Sequence, residues 1–264
     1  MNLFPKKKLN SLSNNFKFLD CTLRDGSYVI NFNFTKEDTK NIVSSLDEVG
    51  VDYIEVGHGI GLGASNNKFP KAAATDEQYM QAASESCKKS KWGMFFIPGI
   101  GSSKDIYLAA KYKMNFIRIG ANIENYKNTE KYINIAKENS MFVAVNFMKS
   151  YSASPSTFLK ASKFVTKLGA DLVYIVDSAG GMLPHELEKY IKILKNNSKI
   201  KFGFHGHDNL SLSNYNSLFC ISQGAKVIDI SLQGLGRSAG NAGFETLVFL
   251  LMSLQFTAAF SDTN

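Results

Sequence analysis

The stretch LDCTLRDGSY, residues 19–28, decides between two folds for this chain. It begins as an apolar run that ends at Cys21, and the turn that follows carries Arg24 and Asp25. An open, doubly wound sheet that binds a dinucleotide usually has a glycine-rich phosphate turn after its first strand. The glycine-rich stretch GLGRSAGN, residues 234–241, comes too late in the chain and has the wrong spacing for that turn. The sequence therefore disfavours the doubly wound sheet.

The rest of the chain repeats one order of elements: a short β-branched or aromatic run, a loop, and then a helical pattern. The predicted strands cover residues 16–21, 52–57, 93–97, 115–119, 141–147, 171–176, 200–205 and 226–230. The helical patterns between them include residues 35–49, 75–90, 127–139, 155–168, 184–196 and 210–223. Because strands that alternate strictly with helices run parallel, this pattern predicts an α/β fold, a single-domain (β/α)8 TIM barrel over residues 16–260.

Charge and hydropathy exclude two classes of partner. The net charge of +7 is spread along the chain, and no basic segment is interleaved with aromatic residues, so we expect no nucleic acid. Residues 1–15 lack the apolar segment of a signal peptide and are predicted to be a flexible basic tail. The most apolar stretch, residues 247–260, is shorter than the about 20 residues that span a bilayer. It is predicted to be a buried last helix, and we expect no membrane partner.

The cysteines indicate the redox compartment. Cys21, Cys87 and Cys220 are far apart and odd in number. They form neither a disulfide framework nor a CxxC metal motif. A reducing, cytoplasmic location is the simpler interpretation.

Polar and ionisable residues follow most of the predicted strands. In a TIM barrel, the loops after the carboxyl ends of the strands form the active site. The residues in these positions are Arg24, Asp25, Glu55, His58, Asn146, Lys149, Asp177, Ser178, His205, His207 and the stretch 233–241, and Arg118 lies inside the fourth strand. The sequence thus places its reactive side chains at one end of the barrel.

His205 and His207, in FHGHD, form the most informative pair. Side chains two apart on a strand point to the same face, so both imidazoles can reach one point. An isolated HxH pair is more often held by backbone hydrogen bonds, but the carboxylate of Asp25 on the same rim favours a metal site. Two histidines and one carboxylate with open positions suit an octahedral divalent ion rather than a closed zinc site. We predict Mn²⁺, with Mg²⁺ or Co²⁺ as alternatives.

Roles for other residues at the predicted mouth follow from their positions. His58, in EVGHG, is predicted either to contact the substrate or to support the site. His185, beside Pro184, is predicted to be a surface residue. An aromatic rim is predicted from Phe95, Phe96, Tyr28 and Tyr151.

A divalent ion with open positions can bind a 2-oxo acid through its carboxylate and keto oxygens. It then stabilises the negative charge that develops when the neighbouring C–C bond breaks or a proton leaves. Arg24 is always protonated and is suited to meet the same developing oxyanion. These residues therefore favour lyase chemistry next to a 2-oxo acid.

Six motifs along the chain together resemble those of one enzyme family. They are LDCTLRDGSY, IEVGHGIGLGASN, FFIPGIGS, VDSAGG, HGHDNLSLSNYNSL and SLQGLGRSAGNAGFE, in order from about Phe16 to Leu247. They are similar to the 4-hydroxy-2-oxovalerate aldolases, pyruvate-type class II aldolases of the superfamily that includes hydroxymethylglutaryl-CoA lyase and isopropylmalate synthase. The resemblance implies an enzyme that joins or separates pyruvate and an aldehyde through an enolate.

The resemblance also implies roles for individual residues. Asp25, His205 and His207 would be the metal ligands, and Arg24 would stabilise the enolate. It implies that Ser178 contacts the substrate carboxylate. It further implies that Asn241, in SAGN, reaches or approaches the metal beside the substrate.

Two departures from the family pattern stand out. The residue that the family uses as its general base is a histidine, and the matching position here is Tyr28. A free phenol has a pKa of about 10, so Tyr28 would need a lowered pKa to act as a base; otherwise it donates a proton or orients a water. The dehydrogenase-linked aldolases also continue into a helical domain after the barrel, so we expect no channelling dehydrogenase partner.

Two alternatives to the aldolase stay open at this level. One is a Claisen-type acyltransferase or acyl-CoA lyase of the same superfamily. The other is a barrel that binds the metal but has lost turnover and serves as a scaffold. An exposed last helix would also favour a homodimer.

Overall fold

Eight parallel strands form a closed barrel in the computed structural model, which describes residues 16–66, 69–197 and 200–261. The strands are β1 Lys17–Asp20, β2 Tyr53–Val56, β3 Lys91–Phe96, β4 Phe116–Asn122, β5 Phe142–Met148, β6 Leu172–Asp177, β7 Phe202–Gly206 and β8 Val227–Ile230. Each strand pairs with the next, and β1 pairs with β8 to close the sheet. The predicted TIM barrel is therefore confirmed. The predicted tail, residues 1–15, lies outside the described residues.

Eight α-helices accompany the strands in the described part of the chain. They are α1 Lys36–Val49, α2 Asp76–Ser86, α3 Ser103–Lys111, α4 Glu130–Glu138, α5 Pro155–Lys167, α6 Pro184–Lys195, α7 Ser213–Ser222 and α8 Phe244–Ser261. Thr35 begins α1 with a capping box, in which its side chain accepts the Asp38 N–H. Pro155 and Pro184 occupy the first turns of their helices, as the sequence predicts.

Several helix boundaries differ from the predicted ones. The second helix ends at Ser86 instead of residue 90, because the Asp47 carboxylate accepts the N–H groups of Lys88, Lys89 and Ser90. Helix α7 begins at Ser213 instead of residue 210, and α4 begins at Glu130 instead of residue 127, after a 3-10 turn. Helix α3 was not among the predicted helices.

The last helix is buried only in part, so the prediction of a buried helix is wrong along one side. Leu247 is fully buried, whereas Phe249 is 71% and Met252 is 50% exposed. Among the described residues, no helix is long and apolar enough to cross a bilayer.

The inward face of the barrel has two chemically different layers. The lower layer is a separate apolar cluster that includes Leu19, Tyr53, Phe116, Leu172 and Val227. Two positions further along their strands, inward side chains are charged or polar, because alternate strand residues share a face. These residues are Glu55, Arg118, Asn146, His205 and Asp229. The barrel therefore has an apolar floor beneath a buried polar layer.

Asp76, the first residue of α2, allows a test of this fold by pH. The carboxyl is buried and accepts the Gly63 N–H at 2.7 Å, and burial raises its pKa from 3.8 to about 6. The contribution of the neutral Asp76 carboxyl to the free energy of unfolding is fully present below about pH 4. It is lost as the pH rises through 6. We expect Asp76→Asn, which keeps an oxygen acceptor, to be more stable than the wild type by about 2–3 kcal/mol at pH 8 and not at pH 4.

Urea unfolding at the two pH values measures this difference. Glu77→Gln is the matched control, because it removes a negative charge from an exposed position of the same helical turn. A stabilisation of Asp76→Asn that is equal at pH 4 and pH 8 would contradict the assigned cause.

Candidate active site

A cavity of about 120 Å³ opens at the carboxyl ends of the strands. Its lining residues come from the loops after β1, β2, β3, β6, β7 and β8 and from β3, β5, β6 and β7 themselves. They are Arg24, Asp25, Tyr28, Gly59, Ile60, Phe95, Ile97, Asn146, Met148, Val176, Ser178, His205, His207 and Arg237. The structure thus brings the predicted residues Arg24, Asp25, Tyr28, Ser178, His205 and His207 to one cavity.

Asp25, His205 and His207 converge in this cavity. One potential ligand atom from each residue lies within 4.8 Å of the other two, and all three side chains are buried. Asp25 comes from the turn after β1, His205 lies near the end of β7, and His207 follows that strand directly. This spacing fits coordination of a single divalent ion by two imidazoles and a carboxylate.

The outer hydrogen bonds of both histidines leave one ring nitrogen of each available. The His205 Nδ1 lies 2.7 Å from the Asp229 carboxylate, and the His207 Nδ1 lies 3.2 Å from the Gly240 carbonyl oxygen. With Nδ1 donating in both rings, the Nε2 atoms carry lone pairs. Such partners fix the tautomer of metal-binding histidines.

The charges of these groups also suit a cation. Burial and the neighbouring His205 lower the pKa of His207 to about 4, so the imidazole is neutral at pH 7. Burial raises the pKa of Asp25, but Arg24 and the two histidines outweigh it and hold that pKa well below its usual range. His207 therefore offers a neutral nitrogen and Asp25 a carboxylate, which are the ionisation states that bind metals.

A buried chain of charged side chains connects two of these candidate ligands through the barrel. Its members, in order of contact, are Asp25, Arg24, Glu55, Arg118, Asp229 and His205. One Glu55 oxygen accepts the Arg24 Nε–H at 2.7 Å and an Arg118 N–H at 3.0 Å. The same Asp229 oxygen contacts Arg118 and His205. Buried charges are stable only when paired in this way, so each member holds its neighbours in position.

Asn241 lies beside the three candidate ligands, although it does not line the same cavity. Its Nδ2 donates to Asp25 Oδ2 at 3.0 Å, and its backbone bridges to His207. Its Oδ1 atom is buried without a hydrogen-bond partner among the described residues. A Cβ atom on Gly236 would lie 2.2 Å from the Asn241 amide, so only glycine permits this approach. The free oxygen supports Asn241 as a further ligand of a bound cation.

A second group of potential ligands overlaps the first. It combines Cys21, His205 and Asp229. Burial raises the pKa of the Cys21 thiol well above its usual value, and the thiol donates to the Ile230 carbonyl oxygen. Asp229 is already paired with Arg118 and with the outer nitrogen of His205. A protonated thiol is a poor ligand, so the group with Asp25 and His207 is the better metal centre.

Ser178 and Tyr28 lie on opposite loops of the cavity. The Ser178 oxygen accepts the Lys149 N–H at 3.0 Å, which leaves the hydroxyl proton free to donate. Burial raises the pKa of Tyr28 above 10 although Arg24 and Arg237 act against it, so the phenol is neutral at pH 7. The lowered pKa that a tyrosine base would need is absent from this site.

His58 and Phe96 are not part of the cavity. The His58 Nδ1 accepts the Ile60 N–H at 3.1 Å, its Nε2 lies 2.7 Å from the Pro70 carbonyl oxygen, and its ring stacks on Phe32. Both ring nitrogens are therefore occupied, and of the two predicted roles the supporting one fits. Phe96 points outward and packs on Tyr132, and Tyr151 does not line the cavity. Of the predicted aromatic rim, Phe95 and Tyr28 are the two members that line it.

Sequence reasoning assigned no role to two residues of this site. Asp229, in VIDI, orients His205 and pairs with Arg118. Arg237 lines the cavity and donates its backbone N–H to Asp25 Oδ2 at 3.1 Å. A charged residue in the middle of an apolar strand was the available signal for Asp229, since such a charge must be paired.

The family model described as HMGL-like matches residues 15–263. The chain belongs to the HMGL-like family. The predicted resemblance is thereby confirmed.

The curated relatives include aldolases and a decarboxylase. The 4-hydroxy-2-oxovalerate aldolase of Carboxydothermus hydrogenoformans is 38% identical over 93% of this chain and 73% of that protein. The oxaloacetate decarboxylase of Mycobacterium tuberculosis is 35% identical over 91% of this chain and 71% of that protein. The prediction of a metal-dependent aldolase agrees with the aldolase relatives, which confirm it as a reaction class.

A solved structure supports the fold. The N-terminal domain of a putative aldolase from Bacteroides vulgatus superposes with a TM-score of 0.74 and 28% identity. The match covers 94% of this chain and 86% of that one. The whole barrel, and not a fragment of it, is therefore shared.

Proposed function

We propose that this HMGL-like protein makes or cleaves the bond between carbons 3 and 4 of a 4-hydroxy-2-oxo acid, with pyruvate and an aldehyde as its small-molecule partners. The observation that carries this proposal is the convergence of Asp25, His205 and His207 in a cavity that also contains Arg24. The aldolase relatives support the substrate class.

The four residues that would hold the divalent ion are Asp25, His205, His207 and Asn241. When bound, the ion supplies Lewis-acid stabilisation of the charge that develops on the 2-oxo acid. The buried chain of ion pairs fixes the positions of Asp25 and His205 before any substrate arrives. This preorganisation means that little reorganisation is needed during the reaction.

Arg24 and Ser178 bind the 2-oxo acid in this proposal. The Arg24 Nε donates to Glu55 and one Nη donates to Asp25, so the guanidinium is held rigidly while other N–H groups remain for the cavity. Those groups stabilise the enolate oxygen of pyruvate. The Ser178 hydroxyl donates to the pyruvate carboxylate.

Tyr28 is the proton donor in the direction of bond formation. Carbon 3 of the pyruvate enolate forms a bond to the aldehyde carbon, and the aldehyde oxygen takes the phenolic proton as it becomes a hydroxyl. The pyruvate methyl group gives its proton to solvent water when the enolate forms, and a proton from solvent restores the Tyr28 phenol after bond formation. In cleavage both transfers run in reverse: Tyr28 releases its proton to solvent and takes the proton of the C4 hydroxyl, and the enolate takes a proton from water. A neutral phenol that lines the cavity supports this role over that of a base with a lowered pKa.

Deuterium exchange at the pyruvate methyl group tests the proposal without knowledge of the aldehyde. We expect the protein to exchange these protons in D₂O when Mn²⁺, Mg²⁺ or Co²⁺ is present, with mass spectrometry as the readout. Treatment with EDTA should reduce exchange to the uncatalysed rate, and added metal should restore it, because the ion stabilises the enolate.

Three outcomes would contradict this proposal. Equal exchange before and after removal of the metal would exclude the proposed role of the ion. Absence of exchange with every metal would favour the scaffold alternative. Turnover with an acyl-CoA thioester and none with aldehydes would favour the acyltransferase or acyl-CoA lyase.

Further predictions of this proposal concern the metal, the cellular location, the partners and the bounds of the domain. Manganese as the resident ion is to be checked by metal analysis of the purified protein. The three free thiols support the cytoplasmic location, and exposed Phe249 and Met252 support a homodimer through α8. Action without a channelling dehydrogenase, and residues 16–260 as the bounds of the barrel domain, stay predictions.

A further inference from the structure

Arg237 is a cation at the cavity mouth for which the proposed reaction has no use. It follows β8 in the stretch GLGRSAGN, and its side chain is exposed and lines the cavity. Its backbone N–H donates to the candidate ligand Asp25 at 3.1 Å, which fixes the loop against the metal centre. The guanidinium carbon lies 5.7 Å from the centre of the Tyr28 ring.

The carboxylates near the cavity are already paired with other groups. Asp25 and Glu55 bind Arg24, and Asp229 binds Arg118 and His205. In the described part of the chain, no carboxylate lies within 4.0 Å of a nitrogen of the Arg237 side chain. An arginine on a protein surface is ordinarily solvated by water. The Arg237 side chain instead lines the cavity, where a bound anion would also contact other lining residues.

The electrostatic influence of Arg237 extends across the mouth. Its positive charge acts on Tyr28, Tyr151 and His207, which come from three different loops. The cavity wall opposite the polar groups is apolar and includes Ile60, Ile97 and Met148. Among the described lining residues, Arg237 is therefore the arginine that is not paired with a carboxylate, so its guanidinium can bind an anionic group at the mouth.

We propose that Arg237 determines acceptor specificity by binding an anionic group, a carboxylate or a phosphate, at the far end of the aldehyde. This inference rests on the proposed aldolase function. The aldehyde carbon would face the pyruvate enolate next to Tyr28, and the anionic group would extend outward along the Tyr28 ring to the guanidinium. Planar N–H pairs of arginine suit carboxylate and phosphate oxygens equally.

Paired substrates that differ in one anionic group test the proposal. We expect kcat/KM for 4-oxobutanoate to exceed that for its neutral methyl ester, and that for glyceraldehyde 3-phosphate to exceed that for glyceraldehyde. Whichever pair shows the larger ratio identifies the anion. Arg237→Gln should lower that ratio by at least about tenfold, through loss of a charge-assisted hydrogen bond. The kcat/KM ratio of the wild type should also fall as the salt concentration rises, because the Arg237 side chain is exposed and its charge is screened.

Lys226→Gln is the matched control. It removes one positive charge at the other end of the barrel, directly before β8, where the side chain is exposed. We expect it to leave both substrate ratios unchanged. An equal fall in Lys226→Gln and Arg237→Gln would show a general effect of net charge and overturn the proposal.

The failure of this inference can be separated from failure of the aldolase proposal. If the wild-type protein exchanges the pyruvate methyl protons but has kcat/KM ratios near one for both substrate pairs, only the proposed role of Arg237 is overturned. If Arg237→Gln raises the KM for pyruvate in the exchange reaction and leaves the ratios unchanged, Arg237 binds pyruvate and not the acceptor. Absence of exchange in the wild type overturns both proposals.

Discussion

Replacement of His207 by alanine is expected to lower metal-dependent exchange of the pyruvate methyl protons by at least about 10³-fold. One of three converging ligands is then missing, and the several kcal/mol of charge stabilisation that the ion provides is lost with it. We expect the metal content of the purified variant to fall in parallel. Activity assays and elemental analysis on the same preparation check both expectations.

His185→Ala is the control for this experiment, because His185 is exposed on α6 and outside the cavity. It should keep both the metal content and the exchange rate of the wild type. A His207→Ala protein that retains a full complement of metal but loses exchange would contradict the assignment of His207 as a ligand. It would indicate a direct role in proton transfer instead.

The barrel could be predicted from the sequence because its strands and helices alternate without interruption. All eight predicted strands overlap the observed ones. The boundaries of the helices were less predictable, because they depend on contacts between distant residues. Asp47 ends the second helix from a position about 40 residues earlier in the chain, and no local pattern contains that information.

The candidate ligands could also be predicted, since a strand has a period of two. That period places His205 and His207 on one side, and the closed barrel brings the turn with Asp25 to the same mouth. The same period should have excluded Phe96 from the rim, because its neighbour Phe95 faces the cavity. Neighbouring residues of a strand cannot both point inward.

The support of the site was not predicted, although a signal for it is present in the sequence. Glu55, Arg118 and Asp229 each interrupt a strand that is otherwise apolar or small. Isolated charges in buried strands require partners, so three of them at similar heights in a closed barrel indicate a network. His58 is different, because its contacts with Pro70 and Phe32 involve loops whose paths cannot be derived from local patterns.

Arg24→Ala is expected to reduce pyruvate exchange by about 10²–10³-fold at saturating metal and pyruvate. That is the effect of removing one donor that faces a developing oxyanion. Arg24→Lys should retain part of the activity, since it keeps the charge but lacks the fork that reaches Asp25 and Glu55 together. Metal content should stay high in both variants, because the four proposed protein ligands remain.

Removal of a buried arginine also leaves Glu55 with fewer partners, which by itself is expected to destabilise the fold by about 3–5 kcal/mol. Arg118→Met separates this effect from catalysis. Arg118 binds the same Glu55 oxygen, but it lies deeper in the barrel and does not line the cavity. At equal saturation with metal, we expect Arg118→Met to lose stability as Arg24→Ala does, and to lose less exchange activity. Equal losses of exchange in the two variants, in proportion to their losses of stability, would mean that Arg24 only supports the network and does not act on the enolate.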